Sequence, residues 1–177
     1  STYSYPGGLP SYNPLVRLRA AKARGLYLIV IDPRRTELAG YADLHLPVRP
    51  GEDPTLLAGI IRQLLADDLV DHEFCDRWVR GVDELAAAVE PFTPELVERR
   101  AGVAAADLVE AARQFGARRT GAVSTGTGPN MAPHSMLSEH LAMTINTLLG
   151  RYKRTGDVLA NPGGSMTPAG PVKAQPV

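Results

Sequence analysis

A single cysteine, Cys75, stands in 177 residues. One thiol closes no internal disulfide, so a reducing compartment, and with it the cytoplasm, is the expected setting. It also excludes a four-cysteine iron–sulfur cluster within this chain. Net charge is missing too, because 19 Lys and Arg balance 19 Asp and Glu. A nucleic-acid surface needs a basic excess, and the short clusters Arg34-Arg35, Arg99-Arg100 and Arg118-Arg119 sit in a neutral whole. No apolar run nears the ~20 residues of a membrane-crossing helix. No signal peptide, internal repeat or low-complexity tract precedes the tail, 161–177, which is rich in Gly and Pro and reads as a loop or arm. The chain opens on Ser1-Thr2-Tyr3 without a methionine, so a piece of a larger protein is expected.

What is present is a helix-rich pattern with two short β-like runs. Residues 1–13 are turn-rich. A helix is predicted from Pro14 to a stop at Gly25, since proline suits a first turn and glycine a C-terminal end. An apolar strand, Leu26–Ile31, follows at once and halts at Asp32-Pro33. A second, Leu44–Val48, leads through Arg49-Pro50-Gly51-Glu52 into a helix opening at Asp53-Pro54. In that helix Leu56, Leu57, Ile60, Ile61, Leu64 and Leu65 recur in pairs four apart, which predicts one apolar face. Shorter helices are expected over Glu73–Val79, Asp83–Val89, Pro94–Arg100 and Ala104–Phe115, the third capped by Thr93. Gly121–Ser124 reads as a buried strand and Thr125–Pro133 as a glycine/proline loop. A last helix, Ser135–Leu149, carries Leu137, Leu141, Ile145 and Leu148 on one side. Strands each followed by a glycine-bearing loop predict a three-layer α/β domain with a mostly parallel sheet over residues 1–157, with a tail over 158–177.

Open α/β sheets bind ligands just beyond the strand ends, and acidic, basic and glycine residues gather there. Asp32 is suited to accept hydrogen bonds from a ribose diol; the plainer reading is a carboxylate capping the Pro33 turn. Gly7-Gly8 precedes it at about the separation of a dinucleotide fingerprint, without the full three-glycine pattern. Arg34, Arg35 and Thr36 add charge and donors; in the plainer reading they form a solvated loop with one arginine paired to Asp43. Gly51 permits close backbone approach. Asp53 before Pro54 is a good helix N-cap, though its second oxygen leaves room for a ligand. Gly126, Thr127 and Gly128 can present backbone N–H groups to phosphate or pterin, or form an ordinary turn. Ser124 lacks the immediate helix of a nucleophile elbow, His134 and His140 lack the spacing of a metal pair, and Cys75 between Phe74 and Trp78 reads as a core thiol.

The run Asp32-Pro33-Arg34-Arg35-Thr36, then Ala42-Asp43, then Arg49-Pro50-Gly51 with Asp53, resembles the molybdopterin oxidoreductases, the bis-molybdopterin guanine dinucleotide enzymes that include formate dehydrogenases and nitrate reductases. The likeness continues through Thr93-Pro94-Glu95, Gly102-Val103, Gly126-Thr127-Gly128 and the helix with Asn146, and covers about Leu9 to Asp157. It implies a Rossmann-like cofactor-binding domain of a larger enzyme. The guanosine end of molybdopterin guanine dinucleotide would be held by Asp32, Pro33, Arg34 or Arg35, Thr36, Arg49, Gly51 and Asp53, with Asp53 recognising guanine and Thr127 and Gly128 supplying the glycine-loop contacts. Molybdenum or tungsten, any iron–sulfur cluster, the remaining domains and electron-transfer subunits would lie outside this chain. Resembling enzymes often carry a glutamine shortly after the glycine loop, where this chain has Met131. No catalytic residue is implied, and the isolated chain is expected to be inactive. A nucleotide-binding module for NAD and a scaffold without ligand remain the alternatives.

Overall fold

The helix that opens at Asp53 is the axis of the molecule. In the computed structural model, which describes residues 14–157, α2 (Asp53–Ala66) packs against α4 (Val82–Val89), α5 (Pro94–Ala101), α6 (Ala105–Gly116) and α8 (Ser135–Leu148). The apolar pairs predict one buried face, yet Thr55, Ala58, Gly59 and Gln63 are buried along with Leu56, Leu57, Ile60, Ile61 and Leu64. At Ala58 and Gly59 small size accounts for the difference. A Cβ on Gly59 would lie 2.6 Å from Val97 Cγ2 and 2.8 Å from Leu108 Cδ1, so α5 and α6 close on the side that lacks bulk. Each fully buried Leu or Ile here contributes roughly 1.5–3 kcal/mol.

The remaining elements are α1 (Pro14–Ala23), β1 (Ile29–Ile31), a 3-10 turn Ala39–Tyr41, β2 (Leu44–Leu46), α3 (His72–Trp78) and α7 (Thr127–Met131). The strands are parallel, with Ile29 opposite Leu44, Val30 opposite His45 and Ile31 opposite Leu46. Parallel strands need a crossover, which residues 32–43 provide around the 3-10 turn. Both strands are shorter than their apolar runs. Leu26 is spent on ending α1: its N–H reaches Ala21 O at 3.1 Å, beyond a left-handed Gly25. Leu28 N–H goes to the Asp43 carboxylate at 2.8 Å. Past β2, Val48 N–H turns back to Leu46 O at 2.9 Å and ends the ladder.

The expected α/β character holds in a helix-rich form: among the described residues the sheet has two strands, and most packing is helix on helix. Gly121–Ser124 is not a strand and is largely exposed. The buried Asn146 side chain takes a strand's place, accepting from Val123 N at 2.8 Å and donating to Val123 O at 2.8 Å. The segment expected as a loop, Thr125–Pro133, contains α7. On α8 the buried set is Ser138, Leu141, Ala142, Ile145, Asn146 and Leu148, while Leu137 is exposed. Thr93 caps α5 as expected, accepting from Leu96 N at 3.2 Å. The turn-rich opening with Gly7-Gly8 and the tail 161–177 lie outside the described residues.

Candidate functional site

Both strands deliver their following loops to the same end of the sheet. Asp32 leaves β1 with its N–H on Leu46 O at 3.2 Å and its carbonyl accepting from His45 Nε2 at 2.8 Å. Its Oδ1 accepts from Arg34 N at 2.8 Å, so the turn-capping reading of Asp32 holds. Oδ2 takes no hydrogen bond from the described residues, and ligand contact by that oxygen is compatible with the cap. Pro33, Arg34 and Arg35 are exposed, and Thr36 Oγ1 accepts from Ala39 N at 3.3 Å. Neither arginine pairs with Asp43. Burial pushes the Asp43 carboxyl up, but Lys22 at 2.6 Å and the Leu28 N–H outweigh it and hold the group below its ordinary range.

The turn after β2 is anchored on α5. Arg49 Nη1 donates to Arg99 O at 2.7 Å and Arg100 O at 2.8 Å, and Arg49 N donates to Ala101 O at 2.8 Å. A cation is favourable at the carbonyl end of a helix, and two otherwise open acceptors are satisfied. The close approach needs Gly102, where a Cβ would stand 3.2 Å from Arg49 Nε. Arg49 thus holds the turn in place, a role its motif position does not announce.

Asp53 is not the N-cap. Glu52 occupies that position, with its N–H on Arg49 O at 3.0 Å and its carboxylate accepting from Thr55 Oγ1 and Arg100. The bend at Gly51, with φ +88°, brings Glu52 there and leaves Asp53 as the first helical residue. The Asp53 carboxyl is half-buried. Burial pushes its pKa up, and only its own backbone N–H opposes that. It is a carboxylate taken partly out of water without a compensating side chain among the described residues.

The glycine loop adjoins this turn. A Cβ on Gly51 would sit 4.0 Å from Pro133 Cδ, in the link between α7 and α8. Thr127 and Gly128, in the first turn of α7, are exposed, with open space around Gly128. Thr125 Oγ1 donates to Glu139 Oε1 on α8. Met131 is 82 % exposed, and Met136, Leu137 and Met143 are exposed apolar side chains on α8. Cys75 is buried, its thiol 3.5 Å from Leu148 O and pushed up by burial, with Asp71 and Asp76 adding to the shift. The contacts of three residues escaped the sequence reading: His45 with Asp32, Glu139 with Thr125 and Asn146 with Val123. Only Asn146 left a signal, a lone amide between Ile145 and Leu148 in an apolar helix.

No family model matches the chain. The alpha subunit of an F420-dependent formate dehydrogenase of Methanococcus maripaludis is 38% identical over 63% of this chain and 17% of that subunit. The thiosulfate reductase molybdopterin-containing subunit of Salmonella typhimurium is 30% identical over 78% of the chain and 18% of its own length. The solved acetylene hydratase of Pelobacter acetylenicus superposes with a TM-score of 0.75 at 30% identity, over 78% of this chain and 19% of its own. The chain belongs to the molybdopterin oxidoreductase family. It spans roughly a fifth of the length of these family members. Their names carry three different reactants, formate, thiosulfate and acetylene, so family membership leaves the reactant open. No described helix is long and apolar enough to cross a membrane.

Proposed function

We propose that this chain is a cofactor-holding domain of a larger molybdopterin-dependent enzyme and grips the guanosine end of a molybdopterin guanine dinucleotide. The observation that carries the reading is Asp53, a half-buried carboxylate with its pKa pushed up and no side-chain donor to offset the burial. Guanine offers N1–H and an exocyclic amine side by side, which suits a two-oxygen acceptor. The surrounding residues fit the rest of such a group. Asp32 Oδ2 would accept from the ribose hydroxyls, with Pro33, Thr36 and either Arg34 or Arg35 lining that end. Gly51 allows backbone approach, and Thr127 and Gly128 offer N–H groups in open space. Arg49 keeps the turn in shape through α5.

When bound, the cofactor's molybdenum or tungsten supplies the redox chemistry. This chain's own residues bind and orient, and none is assigned a catalytic step. In the complete enzyme the two strands would belong to a larger three-layer, Rossmann-like sheet, with any iron–sulfur cluster in other segments. The greater length of the relatives supports further polypeptide of the same enzyme as the partner, and exposed Met131, Met136, Leu137 and Met143 are apolar side chains it would cover.

Titration of the chain with GDP and with NAD tests the reading. GDP is expected to bind and NAD to bind far more weakly. Asp53→Ala should weaken GDP by roughly 10- to 100-fold, the usual worth of hydrogen bonds to a charged group. Preference for NAD would favour a general dinucleotide module. Equal GDP affinity in wild type, Asp32→Ala and Asp53→Ala would favour a scaffold that has lost its ligand.

A further inference from the structure

The ladder between β1 and β2 ends with a substitution. Asp32 N–H pairs with Leu46 O at 3.2 Å, as the parallel register requires. The next rung would bring Val48 N–H to Asp32 O, because a parallel strand residue donates to one neighbour and accepts from the residue two further on. Val48 N–H has instead turned back to Leu46 O at 2.9 Å. The missing donor is replaced by a side chain: His45 Nε2 lies 2.8 Å from Asp32 O. A carbonyl can only accept, so the proton of a neutral His45 sits on Nε2. Both backbone groups of Asp32 are thereby held by β2, and its Oδ1 is held by Arg34 N–H.

We infer that His45 is a positioning residue for Asp32: by standing in for the lost ladder donor, it aims the second carboxylate oxygen of Asp32 at the ribose diol of a bound guanine nucleotide. The ligand half of this inference rests on the guanosine reading above; the clamp itself does not. With the Asp32 carbonyl released, the Asp32–Pro33 peptide would be held only from within the loop, by Arg34 N–H on Oδ1 and by Thr36 N–H on Arg34 O, and not by β2. His45 needs no contact with the nucleotide. Its effect should therefore fall on ribose recognition and spare the base.

The test uses the 177-residue chain as wild type, His45→Phe, which keeps a ring but removes the donor, and His45→Gln, which restores an N–H at similar reach. Amide exchange at Asp32 and Arg34, followed by NMR without ligand, should speed up in the Phe variant and recover with Gln. GDP affinity should fall about fivefold in His45→Phe, the worth of one ordinary hydrogen bond, and return with Gln. Affinity for 2′,3′-dideoxy-GDP, which lacks the diol, should be the same in all three proteins. Unchanged exchange in His45→Phe overturns the clamp. Equal loss for GDP and its dideoxy form, or no rescue by Gln, overturns the positioning role in favour of general loosening. If wild type ignores GDP while exchange still follows His45, the guanosine reading fails and takes the ribose role with it, and the clamp stands.

Discussion

At the scale of the residue, the proposed guanine contact of Asp53 can be told apart from a structural role. The Asp53 pKa is pushed up on folding, so the folded chain holds that proton more tightly than the unfolded chain. Stability associated with Asp53 is then fully present below the ordinary aspartate pKa and is lost as pH rises through the elevated one. Asp53→Asn should be more stable than wild type at neutral pH, with the gap closing in acid, as read by urea denaturation across pH. The same variant should lose GDP, because the amide cannot offer two acceptors to guanine. In wild type, GDP affinity should weaken as pH falls through the raised Asp53 pKa, since protonation competes with the donor edge. Gain of stability together with loss of binding marks a group kept for its ligand. A stability loss at neutral pH would contradict that assignment.

At the scale of the element, two substitutions probe how helices replace a larger sheet. Gly59→Ala improves helix propensity by about 1 kcal/mol in an exposed helix. Here its Cβ would fall 2.6 Å from Val97 and 2.8 Å from Leu108, side chains fully buried on α5 and α6. Overpacking of this kind costs roughly 1–3 kcal/mol, so a net loss of stability is expected in chemical denaturation. An increase would show that α5 and α6 can slide apart freely. Asn146→Ala removes both partners of Val123 from a buried helix face. Unpaired backbone groups cost about 1–3 kcal/mol, and the Val123 amide should lose exchange protection while the α2 amides keep theirs.

At the scale of the whole molecule, α2 is enclosed by α4, α5, α6 and α8, and Cys75 lies buried against the end of α8. The thiol should resist Ellman's reagent in the folded chain, because it is both shielded and held in its unreactive protonated form. Thiol exposure and loss of helical circular dichroism should trace one denaturant curve, as a single cooperative core requires. A thiol that reacts well before the helices melt would mean that α3 opens by itself. The link between α7 and α8 meets the turn at Gly51 through Pro133, so the two helices that carry the exposed methionines join at the candidate site.

Local chemistry made much of this legible from the sequence. Periodicity marked α2 and α8, Thr93-Pro94 marked the start of α5, and the order of Asp32 to Thr36, Arg49 to Gly51 and Asp53 pointed to the family. Those signals are carried by neighbours along the chain, within reach of one turn or one strand. What the tertiary structure decided depends on partners far apart in sequence. Arg49 spends its guanidinium on α5, fifty residues away. Asn146 takes the place of a strand beside Val123, and His45 replaces a ladder donor lost where Val48 N–H turns back to Leu46 O. Glu52 takes the cap position and leaves Asp53 half-buried without a side-chain donor among the described residues. Composition and periodicity say which groups want a partner. Only packing in three dimensions determines which groups find one and which carboxylate is left without a side-chain donor.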